Sequence, residues 1–79
     1  MTHDRTLAAV RAAFADTLGR PIPDSEDFFT AGGDSLAAEH VMTALSAALS
    51  LDLPVWLLLD HPTAPDLADV IGRTLSQRP

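Results

Sequence analysis

The chain has 79 residues, no cysteine and a formal net charge of −6, with eleven acidic side chains against five arginines and no lysine. That length makes a single small domain, 1–79, able to bury only about 60% of its unfolded surface, and the missing cysteines exclude disulfide staples and thiolate metal sites. The acidic surplus disfavours nucleic acid and anionic membrane as partners and would attract a basic patch on another protein.

Four helical stretches follow in chain order. Leu7, Val10, Phe14 and Leu18 recur at spacings of three and four, predicting a helix from roughly Asp4 to Leu18. Asp4 suits the helix dipole at its start, and Gly19-Arg20 read as its stop. Residues 19–33 form a connection longer than most helix–helix loops, with Pro21, Pro23, Gly32 and Gly33. Ile22, Phe28 and Phe29 are expected to plug it into the bundle, and Ser25 to Phe29 to form a helical turn. The second helix should begin at Asp34 or Ser35, because two glycines allow a sharp turn and Asp34 is a good N-cap. Ala38, Val41, Met42, Leu45 and Leu49 line one face of it. Leu36, Ala37, Glu39, His40, Thr43 and Ala44 fall largely on the other, which is short of charge for a solvent face.

Leu53-Pro54 opens a brief third helix that ends before His61-Pro62. Thr63 with Asp66 gives a capping-box-like start to the last helix, whose buried face is Leu67, Val70, Ile71 and Leu75. No alternating run marks a strand. The expected fold is all-α: a small four-helix bundle, three main helices plus a short third, with a long loop between helices one and two. The longest apolar run, Val55 to Leu59, is too short for a bilayer, and no secretory signal opens the chain, so a cytoplasmic location is expected. Beginning at Met1 and stopping just past the last helical pattern, the sequence suggests a free-standing protein, although an excised domain would read alike.

The segment Asp27-Phe28-Phe29-Thr30-Ala31-Gly32-Gly33-Asp34-Ser35-Leu36 resembles the phosphopantetheine attachment site of acyl and peptidyl carrier proteins. The paired Phe, paired Gly and Asp-Ser-Leu at a helix start are similar to the peptidyl carriers (thiolation domains) of nonribosomal peptide synthesis in particular. Leu58-Leu59-Asp60-His61-Pro62-Thr63, followed by Leu67-Ala68, is similar to the family's third-helix ending and its entry into the fourth, so the resemblance covers nearly the whole chain. It implies that a phosphopantetheinyl transferase moves phosphopantetheine from coenzyme A, with magnesium, onto Ser35, framed by Gly33, Asp34 and Leu36. The arm's thiol would then hold an aminoacyl or acyl group as a thioester for adenylation, condensation or tailoring enzymes, the chain itself catalysing nothing. A helix start suits the role, because no preceding turn covers the hydroxyl and the free amide hydrogens favour a phosphate, although Asp34 competes for them.

By the same resemblance, the partner interface comprises Leu36, Glu39, His40, Thr43 and Ala44. Carriers of fatty-acid synthesis usually place acids on this side, and Ala37 and His40 standing there favour a peptidyl partner. Trp56 and Leu57 fall where carriers often have polar residues and are expected to extend that surface. The alternative is that Trp56 folds back onto the first loop. Leu59 stands where a Phe is common and is expected to serve the core. A monomer is the expectation for a carrier that must visit several enzymes, and an acyl carrier of polyketide synthesis is the alternative assignment.

Other classes fit less of the sequence. Gly33-Asp34-Ser35-Leu36 also spells an esterase signature, with Asp60-His61 as conceivable partners, but no strand precedes the glycines and the chain is too short for an α/β sheet. An unmodified acidic interaction module would leave the attachment-site resemblance to chance. His3, His40 and His61 match no zinc spacing, and Asp24, Glu26 and Asp27 lack the pattern of a calcium loop, so no metal site is assigned and these acids read as a solvated face.

Overall fold

The computed structural model describes the backbone of residues 2–76 and the side chains of residues 5–75. Its four helices are α1 (Thr2–Leu18), α2 (Ser35–Leu49), α3 (Trp56–Asp60) and α4 (Ala64–Ser76), with no strand among the described residues. The all-α bundle expected from the apolar spacing is the fold observed. α1 lies against both α2 and α4, and the short α3 touches α2.

Each long helix buries a stripe set by its sequence period. In α1, Val10 and Phe14 are fully buried while Leu7 and Leu18 lie at the margin, and Thr6 and Ala13 complete the inner face. In α2, Ala38, Val41, Met42 and Leu45 are buried and Leu49 is partly so. In α4, Leu67 and Ile71 are fully buried with Ala64 and Ala68, and Val70 and Leu75 pack at the edge. Thr6 escapes the hydrophobic pattern because a threonine is polar by type, yet it is as deeply buried as its apolar neighbours.

Several expectations are corrected. α1 begins at Thr2 rather than near Asp4, whose side chain lies outside the described residues, as does that of His3. In place of one helical turn over Ser25–Phe29 there are two turns, a first closed by the Glu26 amide donating to the Pro23 carbonyl (2.9 Å) and a second over residues 28–32. There the Asp27 carboxylate accepts the Phe29 and Thr30 amide hydrogens (2.7 and 3.3 Å), capping a turn that starts after it. In α3, Leu57 and Leu58 face inward, so Leu57, 7% exposed, is a core residue rather than part of an outer surface. Leu59 makes the opposite exchange. It is 52% exposed and shares the outer side of a one-turn helix with Trp56, three residues before it. At the start of α4 the Thr63 carbonyl accepts the Leu67 amide hydrogen (2.9 Å), and the Asp66 carboxylate lies 3.5 Å from His61 Nδ1.

Candidate functional site

The turn before α2 is built from the core outward. Phe28 is fully buried, its ring tilted against Phe14 at 4.9 Å between centroids and edge-on to Phe29 at 5.3 Å. Its amide donates to the Pro62 carbonyl (2.8 Å), tying the first loop to the α3–α4 junction. The chain then reverses: Ala31 N–H donates to Asp27 O, and Gly33 N–H returns to Phe28 O (3.0 Å). Gly32 adopts φ +116, which favours glycine. Gly33 is required for a different reason, since a Cβ there would fall 2.2 Å from the Phe28 ring. A ring so deeply packed cannot step aside, so the backbone rests directly on it.

Asp34 follows in extended conformation and caps α2. Its carboxylate accepts the Ala37 amide hydrogen (2.8 Å) and its carbonyl the Ala38 amide hydrogen (2.9 Å). Ser35, the first residue of α2, is exposed, and no group among the described residues hydrogen-bonds its hydroxyl. The capping expectation for Asp34 is met, and the side chain after it is left open to solvent.

Asp24, Glu26 and Asp27, read from the sequence as a solvated face, keep contact with solvent and are also partnered. Arg11 donates two hydrogen bonds to Asp24 (2.5 and 3.0 Å). That hydrogen bonding holds the Asp24 carboxyl below its ordinary value against desolvation, with a lesser contribution from the guanidinium charge. Arg20 donates to the Ala31 carbonyl (3.2 Å), the Pro21 carbonyl and the Glu26 carboxylate (both 3.4 Å), bridging the two limbs of the loop. Arg11, Arg20 and Pro62 escape sequence reasoning because their partners lie up to 34 positions away and no period marks them.

Outward from Ser35, Leu36 is 64% exposed, and Glu39, His40, Thr43 and Ala44 are exposed along the same face of α2. Leu36, Glu39, His40 and Thr43 line one shallow groove of about 240 Å³. Leu36 and His40 also wall a second groove, of about 230 Å³, with Thr17, Asp34 and Ala37. Trp56 is 54% exposed on α3, which answers against a Trp folded back over the loop. Leu57, buried, drops out of the surface set.

The chemistry available is limited. His61 closes α3 with its amide on Leu57 O and its ring toward Asp66, and no hydrogen bond joins it to Ser35. Among the described residues no group of three or more His, Asp or Glu side chains could hold a metal ion, and no helix is long and apolar enough to cross a membrane. What the site offers is an accessible hydroxyl on a turn fixed from beneath.

Comparison with known proteins agrees with that geometry. A family profile described as a phosphopantetheine attachment site matches residues 8–71. A phenolphthiocerol synthesis polyketide synthase of Mycobacterium marinum is 36% identical over 77 residues, covering 92% of this chain, and an isonitrile lipopeptide synthase of Mycobacterium tuberculosis is 38% identical over 71 residues, covering 89%. The chain spans only 4% and 3% of those two relatives. Among solved structures, BlmI, a type-II acyl carrier protein from Streptomyces verticillus involved in bleomycin biosynthesis, superposes with a TM-score of 0.88 at 27% identity, over 92% of this chain and 89% of that one.

Proposed function

The chain belongs to the phosphopantetheine-attachment-site family of carrier proteins, and from that premise we propose that Ser35 is the residue that bears the arm, presented to partner enzymes in nonribosomal peptide synthesis. The family implies a covalently attached phosphopantetheine, and the residues around Ser35 fit one. The observation that carries the assignment is the exposed, unbonded hydroxyl at the start of α2, on a turn where Gly33 lies against the buried Phe28 ring.

Each neighbouring residue has a task in this reading. Phe28 and Gly33 fix the height of the turn, and Asp34 closes the helix end so that Ser35 projects from a rigid frame. Loading forms a bond from Ser35 Oγ to phosphorus as the pyrophosphate of coenzyme A breaks, with adenosine bisphosphate leaving and the hydroxyl proton passing to the transferase. Once attached, the group supplies the thiol, and this chain has no cysteine to compete with it. Leu36, Glu39, His40, Thr43 and Ala44 form the face offered to the transferase and to adenylation, condensation or tailoring enzymes, with Trp56 as a further anchor. The chain is a monomer with no catalysis of its own, and the benefit of carriage is effective concentration at successive active sites.

A polyketide acyl carrier is the second reading, favoured by the match to a polyketide synthase. Incubation with coenzyme A, magnesium and a broad-specificity phosphopantetheinyl transferase should add one phosphopantetheine by intact mass, and Ser35→Ala should abolish the gain. A folded wild-type chain that gains nothing would sink the assignment. Loading of the product by an amino-acid-adenylating enzyme, rather than by an acyltransferase with malonyl-coenzyme A, separates the two pathways.

A further inference from the structure

Arg11 and Arg73 each hold a carboxylate, that of Asp24 and that of Asp69. Arg20 is used differently, dividing its donors between the Glu26 carboxylate and two backbone carbonyls. It stands just after Gly19, which follows α1 at φ +79, and its guanidinium crosses the loop to the Ala31 carbonyl (3.2 Å). That carbonyl belongs to the peptide group between Ala31 and Gly32. The N–H of the same group donates to Phe29 O (3.2 Å), so the peptide is held from both sides. Gly32, at φ +116, is where the chain turns toward Asp34 and Ser35. With no Cβ to bias it, its φ is set by whatever holds the peptide before it. Gly33 on the Phe28 ring fixes the height of the turn, and the Ala31–Gly32 peptide fixes its direction.

We propose that Arg20 is a positioning residue for attachment of the arm: by holding the Ala31 carbonyl it fixes the turn that aims Ser35 at the transferase. The proposal rests on the Ser35 reading and adds a support that reaches the turn from the end of α1 rather than from the core. Arg20 lines neither groove beside Leu36, so it acts through the backbone and leaves the docking face of α2 as it is. Its side chain is 47% exposed, and truncating it opens no cavity in the core. The consequence falls on the aim of the hydroxyl at the moment of transfer, and hence on kcat rather than on binding.

The test follows loading by a transferase with coenzyme A and magnesium, with intact mass as the readout and kcat and KM measured against carrier concentration. Arg20→Ala should lower kcat about three- to tenfold with KM for the carrier unchanged, in protein whose circular dichroism matches wild type. Arg20→Lys should recover part of the loss, because an ammonium can still donate to the Ala31 carbonyl. Glu26→Gln removes the ion pair, leaves both carbonyl contacts and should load at the wild-type rate. A wild-type kcat in Arg20→Ala overturns the proposal. So does a raised KM with kcat intact, which would make Arg20 a docking contact. An equal fall in Glu26→Gln overturns it too, by moving the effect from the carbonyls to the ion pair. Should Arg20→Ala not fold, Arg20→Lys decides, its kcat falling short of wild type at unchanged KM or not. Folded wild-type protein that gains no mass overturns the Ser35 reading as well, whereas a loaded wild type beside an unimpaired Arg20→Ala overturns the positioning role alone.

Discussion

The two irregular segments of the bundle are organised in opposite ways. The connection between α1 and α2 sinks Phe28 into the core, seats a glycine on its ring and ties down its acids with Arg11, Arg20 and backbone amides. The segment from Leu51 through α3 is pinned by few side-chain bonds, such as the Leu53 amide donating to Ser46 Oγ, and turns Trp56 and Leu59 outward. One segment uses its aromatic residues to fix a hydroxyl, and the other leaves its aromatic residue half in solvent. On the proposed function, the firmly held segment is the one where a covalent attachment would be presented in one place, and Trp56 and Leu59 stand exposed where brief contacts with other proteins would be made.

The strongest way to break that contrast is Phe28→Ala. Removing a fully buried ring should cost about 3–5 kcal/mol in urea unfolding, a large share of the stability of so small a domain. Loss of the ring beneath Gly33 should also slow loading of Ser35 in whatever fraction stays folded. A cost under about 1 kcal/mol would mean that the loop is not held from the core. Asp34→Ala comes next, with an expected loss of about 1 kcal/mol for an uncapped helix. Asp34→Asn should recover most of it, because the amide oxygen can still accept from Ala37, and equal losses in the two variants would contradict the capping role.

The same contrast explains what could be read in advance. The helices were legible because apolar spacing depends on neighbours three and four residues apart, which a sequence displays directly. The cap at Asp34 and the helix start at Ser35 were legible for the same reason, being local. The clasp of Arg20 on Ala31, the Arg11–Asp24 pair and the Phe28–Pro62 hydrogen bond were not, since each joins positions that only the packed bundle brings together. The inward turn of Leu57 and outward turn of Leu59 were hidden because α3 has five residues, too few for a period to declare a face, and both side chains are leucine.

Trp56→Ala sharpens the comparison from the other side. About half of the indole is already in water, so its removal should cost no more than about 1 kcal/mol, and circular dichroism should be unchanged. Loading and turnover with partner enzymes should fall in this folded variant. Unfolding on loss of Trp56 would show that the α3 segment depends on its aromatic residue as the first loop does, and the contrast would disappear.

The smallest expected effect belongs to the Arg11–Asp24 pair, which is exposed and screened by solvent. The Asp24 carboxyl is held below its ordinary value, first by the hydrogen bonds from Arg11. A group whose pKa is lower in the folded chain stabilises it above the unfolded value, and that contribution is lost as pH falls through the folded one. Wild-type protein should therefore exceed Asp24→Asn in stability by a small, constant margin at neutral pH. The margin should close on acidification, beginning below the ordinary aspartate value of 3.8. Urea titrations of both chains at neutral and strongly acid pH measure that margin. If it persists undiminished in acid, the loop gains nothing from this ion pair, and its order comes from Phe28, Gly33 and the backbone alone.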